Sequence, residues 1–359
     1  MLRAGLVGLP ASGRTTLFQL LTSVHAAPKA PGRAEAHVGV ARVPDERLDR
    51  LTALFQPKKR VPATVEFADV GAARGDTKAL YDVAAYRNAD ALVHVVRAFR
   101  DETVPHPLQT IDLARDARTI EDELILADLG VVERRLERLE KDLKKTASAD
   151  LKKEQEILVR ARGTLESGRA VRTMALSTDD ARRLRGFQLL SAKPLLLVIN
   201  VDEQDASETE TISRLPGLSE FQAATGAGAV GVCAKIELEI AQLDPEDARA
   251  FMSDLGLARS GLERVIRAAY ELLGYISFFT VGDDECRAWS IPRETRAEEA
   301  AGAIHSDIQR GFIRAEVVRC EDLLRRGSLA ACREHGELRL EGKEYPVADG
   351  DVITFRHAT

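Results

Sequence analysis

The sequence predicts an α/β protein: a mostly parallel sheet carrying an inserted antiparallel helical hairpin and followed by a small α+β module. Three observations lead there. Short, almost wholly apolar runs alternate with helical patterns, as in strands buried on both faces. Aliphatic residues at heptad spacing interrupt them in mid-chain. Beyond Gly274 the pattern changes to short alternating segments punctuated by glycine. A chain of 359 residues exceeds the usual single domain, and 45% apolar residues are enough to build cores and exclude disorder throughout.

The buried runs are Leu2 to Val7, Thr64 to Val70, Ala91 to Val96, Pro194 to Val201 and Ala229 to Val232, the pattern of a parallel α/β sheet. Between the third and fourth, Ile125, Leu129, Val132, Leu136, Leu139 and Leu143 repeat at spacings of 4, 3, 4, 3 and 4. After a polar break at Thr146 to Asp150, Leu151, Leu158 and Leu165 return every seven residues, so the two stretches can pair as a hairpin over about 119–190. From 131 to 186 there are 15 Lys/Arg against 10 Asp/Glu, which fits either a solvated coiled-coil surface or a face for an anionic partner. The last segment holds strand-like stretches Ser277 to Val281, Gly311 to Val318, Glu337 to Leu340 and Val352 to Phe355, with a helix near Thr295 to Gln309.

The net charge of −6 excludes a protein coated in basic residues for binding nucleic acid, and nothing marks a sequence-specific DNA reader. Cys233, Cys286, Cys320 and Cys332 form no Cys-x-x-Cys pair, so neither a zinc site nor a disulfide framework is encoded. No stretch approaches the length of a membrane span or signal core, and the expected location is the cytoplasm.

Chemistry concentrates in Gly8-Leu9-Pro10-Ala11-Ser12-Gly13-Arg14-Thr15-Thr16, set between a strand and a helical stretch. This is the frame Gly-x-x-x-x-Gly-Lys-Ser/Thr with Arg14 in the lysine position. Backbone N–H groups of such a loop curl around phosphate oxygens, and the helix N-terminus adds positive potential. Thr15 stands where the hydroxyl ligand of Mg²⁺ belongs, with Asp69 as the second metal candidate. Arg14 keeps the charge but replaces a compact ammonium by a planar fork. Asn200-Val201-Asp202-Glu203 and Cys233-Ala234-Lys235 close two later strands, where loops of an open α/β sheet grip a base. Guanine selection uses Asn-Lys-x-Asp; here the fourth position is Glu203 and Asp202 is out of frame, so adenine should compete at least as well as guanine.

The order of these motifs, with the run Gly261 to Gly274 and the stretches Arg287 to Pro292, Ala300 to His305, Arg310 to Glu316 and Asp349 to Val352, resembles the Obg-like ATPase (YchF) family of P-loop NTPases over essentially the whole chain. The resemblance implies a nucleotide-binding domain in two parts, 1–118 and 191–277, a coiled-coil insert at 119–190, and a β-grasp (TGS) domain at 278–359. It implies Mg²⁺ with ATP or GTP as cofactor, ATP preference from Asn-x-x-Glu, slow hydrolysis and association with the ribosome or ribosomal RNA. It places a catalytic role on His106, which between Pro105 and Pro107 also fits a solvated loop.

The chain departs from the family pattern at Arg14 for lysine, at Ala11 for asparagine and at Arg33 for the switch I threonine. In Asp69-Val70-Gly71-Ala72 the switch II glycine comes one place early. These changes touch the groups that sense the γ-phosphate. The function expected is a nucleotide-binding switch in translation or stress with slow hydrolysis; the alternative is a non-hydrolysing paralogue that serves as a translation-associated scaffold. A metabolic or kinase-type enzyme lacks a second-substrate pocket in the sequence.

Overall fold

The computed structural model describes residues 3–22, 36–70, 86–146, 148–212 and 214–358. The chain divides into two compact units, Met1–Ala41 with Glu66–Leu272, and Arg42–Val65 with Leu273–Thr359.

The first unit is built on β1 (Arg3–Val7), β2 (Ala36–Arg42), β4 (Thr64–Val70), β5 (Ala91–Arg97), β6 (Leu195–Asn200) and β7 (Gly228–Val232); the intervening β3 (Lys59–Val61) joins the other sheet. Their order is β2-β4-β1-β5-β6-β7, and the neighbours β4, β1, β5, β6 and β7 run parallel. Every residue of β5 and β6 is buried, which is why both are apolar apart from His94, Arg97 and Asn200. The chain extends the sheet to one side of β1 through β4 and to the other through β5. The carboxyl end of β1 is therefore a switch point, and the loop that leaves it opens into a crevice.

The heptad segment forms a hairpin of α3 (Leu113–Lys145) and α4 (Ala149–Glu166). Asp112 caps α3 by accepting from the Arg115 N–H, and Ser148 caps α4 by accepting from the Leu151 N–H. Ile125, Val132, Leu136 and Leu139 pack with Ile157, Leu158 and Leu165 in a core of their own. The helix begins before residue 119, and its first turns add Ala117, Ile120 and Leu124 to the core under the sheet. One helix thus serves two cores.

Two buried polar anchors hold the hairpin to the sheet. Asp128 accepts from the backbone N–H groups of Leu190 and Ser191 at 2.9 and 2.7 Å, and pairs with Arg87 at 3.3 Å. Arg172 pairs with Glu121 and donates to the carbonyls of Ser191, Lys193 and Thr225. Burial pushes the Glu121 carboxyl up, against the pull of Arg172.

In the second unit, β8 (Tyr275–Thr280), β9 (Glu285–Pro292), β10 (Phe312–Arg319), β11 (Arg339–Glu341) and β12 (Asp351–His357) form a sheet in the order β11-β10-β12-β8-β9, extended by β3. The β8–β9 hairpin, the parallel β8–β12 pair and the antiparallel β10–β12 pair make this a β-grasp sheet. The helix Ala297–Ile304 packs on it through Ala297, Ala300 and Ala301, whose small side chains let helix and sheet approach closely. Residues 42–65, which the sequence reading assigned to the first part of the nucleotide domain, belong to this unit. Here β3 pairs with β9 in parallel, and α2 (Glu46–Phe55), with Leu48 and Leu51 fully buried, sits in the same unit; Arg47 pairs with Asp349 at 2.7 Å.

All four cysteines are buried and free. Among the described residues no helix is long and apolar enough to cross a membrane.

Asp128→Ala should leave two buried N–H groups without their acceptor and Arg87, which keeps the Ala127 and Gln188 carbonyls, without its carboxylate partner. We expect a loss of about 3–5 kcal/mol in denaturant unfolding of the first unit; a loss below about 1 kcal/mol would show that the anchor is dispensable.

Candidate nucleotide-binding site

The loop between β1 and α1 (Arg14–Thr22) is shaped by its glycines. At Gly8 a Cβ would lie 2.5 Å from the carbonyl oxygen of Val95, and at Gly13, with φ of +88°, it would collide with the Asn200 amide. Between them Ala11 takes a φ of +63°, a conformation that asparagine tolerates better than alanine. The Ser12 N–H donates to the Leu9 carbonyl, and the first helical bond of α1 runs from the Leu17 N–H to the Gly13 carbonyl. The N–H groups at the start of α1 thus face the crevice without a helical acceptor, as an anion requires.

Asn200 ends β6 and is buried. Its Nδ2 donates to the Ser12 carbonyl at 3.1 Å, and its Oδ1 accepts from the Ala234 N–H at 3.1 Å. One carboxamide therefore joins the phosphate loop to the start of the helix Ala234–Ile240. A cleft of about 430 Å³ lies there, lined by Gly13, Thr16, Phe99, Asn200, Glu203, Cys233, Ala234 and Lys235 among others. Glu203 and Lys235 pair across its rim at 2.6 Å; both are exposed, and the pair adds little stability. Asp202 spends its carboxylate on the N–H groups of Arg100 and Glu203, so it is not directed at a base.

At the phosphate end, Asp69 is fully buried at the end of β4. Thr15 Oγ1 donates to its Oδ2 at 2.9 Å, and Arg14 Nε lies 2.7 Å from its Oδ1. The two metal candidates are therefore adjacent, and their hard oxygens suit Mg²⁺. Arg14 bends back onto Asp69, with its Nη1 3.5 Å from the Gly8 carbonyl. Arg33, Glu35, Gly71 and Ala72 lie outside the described residues, while Val38 and Gly39 fall within β2.

The side chain of His106 is only 4% exposed, although the residues on either side of it are exposed. Its Nδ1 accepts from the Leu108 N–H at 3.1 Å, and its Nε2 lies 2.9 Å from Asp116 Oδ2 in the first turn of α3. It is not among the residues that line the cleft.

Sequence reasoning overlooked Arg97. This buried guanidinium stacks on Phe99 with 4.4 Å to the ring centroid and donates to the carbonyls of Ala11, Phe99 and Asp101, bracing the phosphate loop from behind. A charged residue closing β5, which is otherwise apolar except for His94, was the available signal.

Comparison with known proteins places the chain in a family. Residues 275–358 match the family YchF-GTPase_C, described as a protein of unknown function (DUF933). The ribosome-binding ATPase YchF of Bacillus subtilis is 42% identical over 99% of both chains, and that of Escherichia coli O157:H7 is 37% identical over 98% of both. Obg-like ATPase 1 of rice is 35% identical, covering 99% of this chain and 92% of that protein. The solved YchF GTPase of Schizosaccharomyces pombe superposes with a TM-score of 0.84 at 30% identity, over 99% of this chain and 97% of that one. With near-complete coverage at these identities, and with a phosphate loop, helical hairpin and β-grasp sheet in the order that the motifs required, the chain belongs to the YchF/Obg-like ATPase family of P-loop NTPases.

Proposed function

We propose that this chain is a cytoplasmic, ribosome-associated nucleotide switch that binds ATP in preference to GTP and hydrolyses it slowly. The observation that carries the reading is the Asn200 bridge, which sets a phosphate loop and a base cleft at a fixed distance. The names of the relatives, ribosome-binding ATPases, support the partner and the nucleotide. In this reading 119–190 is a coiled-coil insert and 278–359 a TGS module, with the basic surplus of the hairpin available to an anionic partner.

Gly8, Ala11, Ser12, Gly13, Arg14, Thr15 and Thr16 would cradle the phosphates, and Asn200, Glu203, Cys233, Ala234 and Lys235 would hold the base. Guanine selection needs a carboxylate on the ring's N–H groups; Asp202 is engaged with backbone and Glu203 with Lys235, which favours adenine. Thr15 and Asp69 would hold Mg²⁺, which when bound neutralises charge on the β- and γ-phosphates. Arg14 presents a fork where a compact ammonium stabilises the transferring group best, so turnover is slow. His106, locked between Leu108 and Asp116, would assist hydrolysis by fixing the loop after β5.

A second reading, a non-hydrolysing scaffold, draws on the same Arg14–Asp69 pair, because a guanidinium held there does not reach toward a γ-phosphate.

Calorimetry should find ATP bound at least as tightly as GTP; tight GTP binding with no detectable ATP binding would overturn the assignment. Asn200→Ala should weaken ATP binding roughly tenfold, the scale of one buried hydrogen-bonded amide. Arg14→Lys should raise turnover toward the two to three orders of magnitude, about 2–4 kcal/mol, that a preorganised donor supplies. His106→Ala should lower kcat more than it changes KM. If neither variant alters turnover, the scaffold reading replaces the switch.

A further inference from the structure

The first unit has a second cleft, at the opposite pole of the sheet from the phosphate loop. It lies where the chain enters β5 and β6 and meets the last part of the helical insert, and its volume of about 500 Å³ is that of a small-molecule site. Leu176, Leu184, Leu189 and Pro194 supply its apolar lining, and Arg87, Arg185, Lys193 and Asp90 its charges. None of these residues belongs to the nucleotide cleft.

Two of the three cations are without a counter-charge. Arg87 is paired with Asp128 at 3.3 Å, and Asp90 accepts from the backbone N–H of Arg3. Lys193 Nζ donates to the carbonyls of Arg87 and Ala89, which takes two of the three donors of an ammonium, and no carboxylate among the described residues forms an ion pair with it. Burial pushes this ammonium down, against the pull of Asp90 and Asp128. Arg185, the last residue of α5 (Thr178–Arg185), is exposed, and its side chain has no hydrogen bond or ion pair among the described residues. A partly buried cation without a counter-charge carries a desolvation cost that an anion in the same place offsets. Two such cations against the one carboxylate of Asp90 favour a ligand with a single acidic group, and the leucines favour an apolar body behind it.

We propose that this cleft binds a small organic anion, with its acidic group at Lys193 and Arg185 and its apolar or planar body against Leu176, Leu184 and Leu189. Because Arg87 in the same wall is tied to Asp128 of α3, a bound ligand braces the junction of hairpin and sheet.

The test is calorimetric titration of the full chain with 1-naphthoate, 1-naphthyl phosphate and inorganic phosphate, with and without excess ATP. The two aryl anions separate a carboxylate from a phosphate ester as the acidic group, and at least one of them should bind at least about tenfold more tightly than inorganic phosphate, because only they bury an apolar body. Excess ATP should not displace it. Lys193→Met should weaken binding about tenfold, the scale of a hydrogen bond to a charged group, and Arg185→Gln about threefold, the scale of an exposed ion pair. Ala181→Trp, which places an indole in the cleft, should abolish binding, and circular dichroism would establish that the variants are folded. Displacement by ATP, binding no tighter than that of inorganic phosphate, or binding unchanged in both Arg185→Gln and Ala181→Trp would overturn the proposal and leave the nucleotide reading intact.

Discussion

The carboxamide of Asn200 determines how the rest of the site is arranged. It sits at the end of a strand buried at every position, so it cannot move without disturbing the centre of the sheet, and it has one donor and one acceptor directed at two different loops. The phosphate loop and the helix after β7 are far apart in sequence and would otherwise sample their positions independently. Bridging them through a single rigid group removes that freedom before any ligand arrives, which is the general route by which a site gains affinity without new contacts. Gly13 is glycine for the same reason, since a Cβ there would occupy the space of the Asn200 amide.

Around that bridge, the site is braced by charges that stay within the protein. Arg97 stacks on Phe99 and donates to three carbonyls, Arg14 turns to Asp69, and Asp202 caps backbone on both sides of the cleft. The guanidinium at position 14 has an acid to bind because Asp69 is buried beside it.

Much of this was legible in the residues. The five runs became β1, β4, β5, β6 and β7, because strands covered on both faces are mostly apolar, even where Glu66 and Asp69 in β4 or His94 in β5 interrupt them. The heptads marked the hairpin equally well, although Leu143, close to its tip, is only partly buried. Two strands at sheet margins were not legible: β2 alternates Val38 and Val40, both substantially exposed, and the three residues of β3 are recruited only by pairing with β9, far along the chain. For the same reason the attachment of 42–65 to the C-terminal unit could not be read locally. His106 shows the limit for site residues, since flanking prolines imply a solvated loop, while its burial depends on Asp116 in the next helix.

The continuity of α3 has a mechanical consequence. Its 33 residues make a single rod of about 50 Å, with one end packed under the sheet beside the loop that holds His106 and the other at the tip of the hairpin. There is no joint between the two cores it serves, so rotation at its base is not absorbed along the way. By simple trigonometry on a rod of that length, a tilt of about 5° at the first turn carries the tip roughly 4 Å. An ångström-scale rearrangement beside Asp116 is therefore magnified several-fold at a surface remote from the nucleotide cleft.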